Sequence, residues 1–149
     1  ALVRAGRKGA RIDLIVRAAC MLPAGVAGLT DNIRVRSIIG RFLEHSRVFY
    51  FRWGAEERLY LSSADWMNRN MLRRVELAWP VTDPELRQRL VDECLVAYLH
   101  DSRDAWDLQP DGTYARAKDA DHPRSHGAQN ALMHRYAAPV GEEDNHTWT

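Results

Sequence analysis

The sequence predicts a single α/β domain in which a mixed sheet is flanked by helices. Residues 11–16, RIDLIV, form a run of aliphatic and β-branched side chains that is typical of a buried strand. Residues 32–39, NIRVRSII, alternate apolar and polar side chains as a second strand would. Residues 82–102 place apolar side chains at helical spacing. A chain of 149 residues is long enough for one domain with a substantial core.

The composition favours a folded, water-soluble chain over a disordered or membrane-spanning one. Hydrophobic residues make up 46% of the sequence and charged residues 28%. No apolar run approaches the roughly 20 residues that a membrane-spanning helix needs, and no signal peptide opens the chain. Cys20 and Cys94 lie in apolar segments and are interpreted as small core residues in a reducing compartment, with a disulfide or a reactive thiol as the alternatives.

The charge is distributed unevenly along the chain. Residues 1–79 hold 14 Lys+Arg and 7 Asp+Glu, a net of +7, whereas residues 80–149 hold 7 and 13, a net of −6. The basic half suggests an anionic partner, and the near-neutral total argues against a general nucleic-acid-binding protein. Arginine favours bidentate phosphate binding, although codon composition could also explain the preference for arginine over lysine.

The first third of the chain is predicted to contain a helix, two strands and a second, short helix. Residues 1–8 resemble the end of a helix terminated by Gly9, and the missing initial Met suggests that the sequence was cut from a longer one. Residues 23–32 form a Gly-rich loop without the residue order of a nucleotide phosphate loop. Residues 38–45, IIGRFLEH, are predicted to form the short helix.

The middle of the chain is predicted to contain a hairpin. Residues 47–52 and 58–63 are strand-like, and Gly54 lies in the loop between them. A polar, irregular segment follows, of the kind that carries side chains into a site at a strand end. Residues 73–81 are predicted to form a further strand.

The last elements are a long helix, a small hairpin and a weakly patterned tail. Thr82 or Asp83 caps the helix, with a capping box to Glu85 if Thr82 is the cap. Residues 106–116 are predicted to form a hairpin, and residues 128–137 a short helix. The apolar stripe of the long helix is interpreted as a core face and consists of Leu86, Leu90, Val91, Cys94, Leu95 and Tyr98.

Metal binding is not predicted. His122 and His126 are four residues apart, but Pro123 and Gly127 disfavour a helix there, so the ligand geometry is not preset. An exposed tail is preferred to a structural zinc site.

One stretch has the order of a phosphodiesterase-type half-site. His45 and Arg47 precede one strand, and the turn Ser62–Asp65 follows the next. An imidazole exchanges a proton near neutral pH, and an adjacent guanidinium neutralises phosphate oxygens. A histidine at the foot of a strand is also often a hydrogen-bonded structural residue, so the residues alone leave both interpretations open.

Three stretches together resemble the C-terminal domain of bacterial polyphosphate kinase, the large histidine-using type. They are IDLIVR (12–17), DNIRVRSIIGRFLEHSR (31–47), and YLSSADWMNRN (60–70) followed by RRVE. The resemblance runs from residue 1 to about residue 116. The domain is expected to occupy residues 1–117, with residues 118–149 as a weakly patterned tail of the same domain.

This resemblance implies a phospholipase-D-like fold and a defined reaction. The γ-phosphate of ATP is transferred reversibly to the end of a polyphosphate chain, with Mg²⁺ bound mainly by a preceding domain. That preceding domain, absent from this sequence, carries the histidine that becomes phosphorylated. The fragment alone is therefore expected to be inactive. The implied partners are ATP, polyphosphate, the remaining domains of the same enzyme and further copies of the full-length protein, and no nucleic acid.

The resemblance also implies roles for individual residues. Arg17 matches an arginine that contacts nucleotide phosphates, His45 a second catalytic histidine opposite the phosphohistidine, and Arg74 a basic residue at the same phosphates. The residues that match the turn shaping this half-site are Ser62, Ser63, Asp65, Asn68 and Asn70, and Arg47, before the preceding hairpin strand, is a further candidate for shaping it.

Some positions depart from the family pattern, and some alternatives stay open. Ala18, Pro23 and Leu72 differ from the usual residues, which leaves the loop conformation there undetermined. Arg17 could instead form an interdomain salt bridge. Arg74 could be a solvated strand-end residue or form an ion pair with Glu76.

Two other functions remain alternatives. One is a phospholipase-D-like phosphodiesterase that pairs two copies of the half-site, and Arg47 stands where that superfamily has lysine. The other is a non-catalytic polyphosphate-binding module. The expected location is the cytoplasm, with membrane association of the parent enzyme left open.

Overall fold

The structure, a computed structural model, describes residues 1–17, 20–117 and 127–137 of the chain. The elements along these residues are α1 (Leu2–Arg7), β1 (Ile12–Ile15), β2 (Ile33–Ile38), β3 (Val48–Trp53), β4 (Glu56–Ser62), α2 (Asn68–Arg73), β5 (Ala78–Pro80), α3 (Pro84–Val91), a π-helical turn (Asp92–Val96), α4 (Ala97–Leu99), β6 (Ala105–Leu108), β7 (Tyr114–Arg116) and α5 (Ala128–Ala137).

The predicted α/β class with a mixed sheet is confirmed. A four-stranded sheet has the order β1-β2-β6-β7, in which β1 and β2 are parallel and the other neighbours antiparallel. A second, antiparallel sheet has the order β3-β4-β5. The predicted hairpin forms its first two strands, and Gly54 in the connecting turn has a φ of 61°, a left-handed conformation that glycine adopts without steric cost.

The core lies on both faces of β2. Ile33 and Val35 are each 1% exposed and pack on one face against side chains of β1 and α1. On the other face, Ile38 packs with Tyr98 and Ala105, which is 0% exposed. The alternation in the sequence therefore matches the first of these faces, whereas the second face is exposed at Arg34 and buried only toward Ile38.

The parallel pairing of β1 and β2 determines where the candidate site lies. The carboxyl ends of parallel strands meet at one edge of a sheet, where α/β proteins commonly bind ligands. Arg17 follows β1 at this edge, and residues 39–47 leave β2 from the same edge. Side chains 28 residues apart in the sequence are thereby brought into contact.

The short helix predicted over residues 38–45 is wrong. Residue 38 ends β2, and residues 39–47 form neither helix nor strand. A glycine at position 40 weakens a helix there, and the backbone of Phe42 is hydrogen-bonded to the distant side chain of Gln129 instead. A tertiary contact thus replaces the local helical hydrogen bonds.

The long helix is confirmed with shifted bounds. It continues from α3 to α4, residues 84–99, and contains one π-helical turn. Of the two predicted caps, Asp83 is the one used, since its side chain accepts from the backbone N–H of Leu86 at 2.9 Å. The stripe is only partly a core face, because Leu86 is 54% exposed whereas Tyr98 is buried.

Other expectations are confirmed in part. The strand predicted over residues 73–81 is limited to β5, while β6, β7 and α5 lie where they were predicted. Cys20 and Cys94 are free and half-buried, and burial raises the pKa of the Cys94 thiol. Position 18, the tail segments 118–126 and 138–149, and His122, His126 and His146 lie outside the described residues.

Within the described part of the chain, no helix is both long enough and apolar enough to cross a membrane.

Candidate active site

Arg17 and His45 lie in contact at the carboxyl edge of β1 and β2. Nη1 of Arg17 donates a hydrogen bond of 2.6 Å to the carbonyl oxygen of Glu44 and lies 3.4 Å from Nδ1 of His45. Both side chains are exposed. Since a guanidinium has donors only, this contact favours the tautomer in which Nδ1 of His45 is unprotonated and Nε2 carries the proton.

The pair retains unused hydrogen-bonding groups. Across residues 1–17, 20–117 and 127–137, Nε and Nη2 of Arg17 and Nε2 of His45 form no hydrogen bond. These free groups of a guanidinium and an imidazole are suited to an anionic ligand, because an arginine presents several donors at once to the oxygens of a phosphate.

Residues 39–47 are irregular but firmly anchored. The Gln129 side chain accepts from the backbone N–H of Phe42 at 2.7 Å and donates to the Phe42 carbonyl at 2.8 Å. It also donates to Oε1 of Glu44 at 2.9 Å, and the Tyr98 hydroxyl donates to the same oxygen at 2.5 Å. The residue that precedes His45 is therefore held by its side chain as well as by its carbonyl.

Sequence reasoning missed this support. Tyr98 was interpreted as a core residue, and Gln129 lies in the weakly patterned tail, where no role was predicted. The one feature of the sequence that could have indicated this support is the carboxylate of Glu44, directly before the candidate histidine. Its two partners are 54 and 85 residues away, so no local pattern could identify them.

Arg47 is paired with Asp65. Its Nε and Nη2 atoms each lie 2.9 Å from Oδ1 of Asp65, and both side chains are partly buried. The carbonyl of Arg47 also accepts from the backbone N–H of Ser62 at 3.0 Å. Arg47 thus joins the start of β3 to the turn after β4, an arrangement that suits a shaping role better than direct phosphate contact.

Both serine hydroxyls stabilise the turn after β4. The Ser62 hydroxyl donates to the carbonyl of Leu77 at 3.0 Å and accepts from the Ala64 N–H at 3.1 Å. The Ser63 hydroxyl donates to Glu76 at 2.5 Å and accepts from the Leu77 N–H at 3.0 Å. These bonds join the turn to the segment before β5.

The two asparagines of α2 differ in environment. Asn68 is exposed at the first position of the helix, whereas Asn70 is 4% exposed and donates to the carbonyl of Asp65 at 3.3 Å. Within the described residues, Oδ1 of Asn70 is buried without a hydrogen-bond partner. Phe49 and Trp66 stack beside this turn with ring centroids 5.2 Å apart.

Arg74 is not brought into contact with the Arg17–His45 pair. It follows α2 in an extended conformation, and its side chain is exposed. In the described part of the chain it makes no hydrogen bond or ion pair. The alternative partner Glu76 accepts from Ser63 instead.

Among residues 1–17, 20–117 and 127–137, no three His, Cys, Asp or Glu side chains cluster as metal ligands would. The described residues therefore form no ligand cluster that could hold a metal ion by protein side chains alone.

Comparison with known proteins identifies the family. The family model described as "Polyphosphate kinase C-terminal domain 2" matches residues 1–129. The polyphosphate kinase of Paraburkholderia phytofirmans is 50% identical over 137 residues, covering 92% of this chain and 20% of that protein. The polyphosphate kinase of Pseudomonas aeruginosa is 51% identical over 140 residues, covering 94% and 20%.

A solved structure agrees with the sequence comparisons. The crystal structure of polyphosphate kinase from Porphyromonas gingivalis matches with a TM-score of 0.82 and 38% identity, over 91% of this chain and 20% of that one. The chain thus spans about one fifth of the length of these relatives. With a family model that matches most of its length, this chain belongs to the polyphosphate kinase C-terminal domain family.

Proposed function

We propose that this chain is the C-terminal domain of a polyphosphate kinase and supplies half of the site for phosphoryl transfer between ATP and polyphosphate. The observation that carries the proposal is the contact between Arg17 and His45 at the carboxyl edge of β1 and β2. Membership of the family supports the reaction, and the exposure of the pair supports contact with a ligand.

The proposed chemistry needs little covalent participation from this domain. The bond from the γ-phosphorus to the β–γ bridging oxygen of ATP breaks as a bond to a histidine nitrogen of the preceding domain forms. That P–N bond then breaks as a terminal oxygen of polyphosphate attacks. Charge spreads over the phosphoryl oxygens in each transition state, so catalysis depends on positioning and on neutralisation of charge.

Arg17 and His45 have different roles in this proposal. The free Nε and Nη2 donors of Arg17 bind nucleotide phosphate oxygens, and its bond to the carbonyl of Glu44 fixes the direction of the guanidinium. His45 donates a proton or stabilises charge from Nε2 on the face opposite the phosphohistidine, and it is not the nucleophile. Arg74, exposed and without an ion pair in the described residues, is the third proposed phosphate ligand.

The remaining candidate residues keep the half-site in shape. The bonds of Arg47 to Asp65 and of the serine hydroxyls to residues 76 and 77 support this role. Asn70 fastens α2 to the same turn, and Asn68 begins that helix. We assign none of these side chains to direct phosphate binding.

Cofactor, location and assembly belong to the same proposal. ATP is the substrate, and Mg²⁺ is held mainly by residues of the preceding domain. The parent enzyme is a cytoplasmic phosphoprotein and a homo-oligomer. The segment from residue 66 to residue 79 exposes large apolar side chains, including Leu72 at 78% and Val75 at 98%, which supports docking of another domain of the same enzyme here.

The test is the phosphotransfer rate of the full-length enzyme carrying His45→Ala, measured together with its phosphohistidine level. We expect the rate to fall by at least about 100-fold, the usual effect of losing a group that stabilises transition-state charge. Phosphohistidine should still form, which would place His45 after the covalent step. His100→Ala is the matched control, because His100 is an exposed histidine at the end of α4.

Other outcomes would favour the alternatives. An unchanged rate with His45→Ala would return this residue to a structural role and leave a polyphosphate-binding module, whose affinity falls steeply with salt. Hydrolysis of a simple phosphodiester by the isolated chain as a dimer would favour a phosphodiesterase. The pairing of Arg47 with Asp65 makes the phosphodiesterase the weaker alternative, because the charge of this basic group is already neutralised.

A further inference from the structure

The segment that carries His45 has no regular secondary structure, yet the proposed chemistry needs its imidazole at a fixed place. Residues 39–47 connect β2 to β3 without helix or strand. Phosphoryl transfer is sensitive to displacements of about 1 Å, so a histidine on an irregular segment requires support from elsewhere in the fold.

Gln129 provides that support in the manner of a neighbouring strand. Its amide pairs with both backbone groups of Phe42, at 2.7 and 2.8 Å, and its Nε2 also reaches Glu44 at 2.9 Å. The side chain is 3% exposed, so these bonds are shielded from water. A buried amide that uses both of its ends in this way allows one orientation of the segment.

The chain holds Gln129 in place from two directions. Asp101, which is 1% exposed, accepts from the backbone N–H of Ala128 at 2.7 Å and so fixes the start of α5. On the other side, a Cβ at Gly40 would lie 2.5 Å from Oε1 of Gln129. A side chain at position 40 would therefore displace the amide from this place.

Glu44 connects Gln129 with the candidate site. Its carboxylate accepts from Gln129 and Tyr98, and its carbonyl accepts from Arg17, which itself contacts the next residue, His45. Hydrogen bonds to the side chain and to the carbonyl of Glu44 therefore connect the buried amide with the Arg17–His45 pair through this one residue.

We propose that Gln129 is a positioning residue for His45: its buried amide fixes residues 42–44 and thereby holds the imidazole opposite the guanidinium of Arg17. Gln129 acts through the segment, and no contact with substrate is assigned to it. The inference rests on the proposed function, because a position matters only if His45 takes part in phosphoryl transfer.

The test uses four variants of the full-length enzyme: Gln129→Met, Gln129→Glu, Glu44→Gln, and the double variant Gln129→Glu/Glu44→Gln. We expect Gln129→Met to lower kcat on the order of 10- to 100-fold, with KM for ATP changed by less than about 3-fold. Gln129→Glu should be similarly slow, because it places a second carboxylate against Glu44.

The double variant separates positioning from mere stability. In the double variant the amide nitrogen of residue 44 can donate to the carboxylate at 129, which removes the repulsion between two carboxylates, although the Phe42 carbonyl stays without its donor. We expect kcat of the double variant to exceed that of Gln129→Glu by about 5-fold or more, a coupling that a double-mutant cycle detects. Gln109→Met is the matched control, since Gln109 bonds a backbone carbonyl in the β6–β7 hairpin instead.

The outcomes distinguish this inference from the proposed function. If His45→Ala keeps the normal rate, both are overturned together. If His45→Ala is inactive and a folded Gln129→Met enzyme turns over normally, the positioning role alone is wrong. Should Gln129→Met unfold at the assay temperature, the comparison of Gln129→Glu with the double variant decides: a folded double variant no faster than Gln129→Glu overturns the proposal.

Discussion

Arg36 and Asp107 lie opposite each other on neighbouring strands, and their side chains form two parallel hydrogen bonds. Nε of Arg36 donates to Oδ1 at 2.8 Å and Nη2 donates to Oδ2 at 3.0 Å. Nη1 of the same guanidinium donates to the carbonyls of Tyr98, Leu99 and Asp101. One arginine thus joins the central strand to the end of the long helix, which carries the Tyr98 hydroxyl.

This arrangement predicts a large effect of Arg36 on stability. The hydrogen bonds that Arg36 donates to Asp107 are the main reason that the pKa of Arg36 is raised, so the guanidinium stays charged and paired. We expect Arg36→Met to lower the free energy of unfolding by about 2–3 kcal/mol, as removal of a charged, partly buried donor does. Arg36→Lys should lower the free energy of unfolding by about half as much, because an ammonium keeps the charge but cannot form the bidentate pair of hydrogen bonds.

Urea denaturation of the chain followed by circular dichroism measures this change. Arg34→Met is the matched control, since Arg34 is exposed on the same strand and should alter the free energy of unfolding by less than about 0.5 kcal/mol. Equal effects of Arg34→Met and Arg36→Met would contradict the structural role of Arg36.

A second prediction concerns Arg17. In the full-length enzyme, Arg17→Ala should reduce kcat/KM for ATP by at least about 100-fold, because the phosphate loses charge-assisted hydrogen bonds and the carbonyl of Glu44 loses its donor. Arg17→Lys should recover only part of this loss. Steady-state kinetics with varied ATP gives the answer.

The control for Arg17 is Arg7→Ala. Arg7 is exposed in α1, before the amino end of β1, whereas Arg17 follows the carboxyl end. An equal loss with both variants would mean that general positive charge, rather than the Arg17–His45 geometry, explains the effect.

The Arg17–His45 contact and its surroundings show which parts of the candidate site the sequence could predict. Arg17 and His45 were expected at one site only through the resemblance to the family, and the parallel pairing of β1 with β2 explains why the two side chains meet. The conformation of residues 39–47 was not predictable, because hydrogen bonds from Gln129, 87 residues beyond Phe42, replace the expected helix. The alternation in residues 32–39 places Arg34 and Arg36 on one face of a strand, but only the register of β2 against β6 shows that Arg36 is paired with Asp107.

A third prediction addresses the turn after β4. Arg47→Ala and Asp65→Ala should each destabilise the chain, and their effects should be non-additive, with a coupling of about 0.5–1 kcal/mol for a partly exposed pair. Phosphotransfer should fall less with Arg47→Ala than with Arg17→Ala, because the role proposed for Arg47 is to shape the site and the role proposed for Arg17 is to contact the ligand. A larger kinetic loss with Arg47→Ala would reassign that residue to phosphate binding.

The last prediction concerns alkaline pH and Tyr98. Burial, and secondly the hydrogen bond to Glu44, raises the pKa of the Tyr98 hydroxyl well above its ordinary value. The folded chain therefore keeps this proton more tightly than the unfolded chain, whose tyrosines titrate near pH ~10. The stabilisation is complete below that pH and is lost progressively as the pH rises from about 10 toward the raised value.

Tyr98→Phe should be less stable by about 1 kcal/mol near pH ~8, where the hydrogen bond is lost, and less sensitive to pH above about 10. Urea unfolding at a series of pH values between about 8 and 11 measures both effects, and Glu44→Gln should show an intermediate slope. If Tyr98→Phe and the natural chain lose stability in parallel across this range, another group governs the alkaline transition.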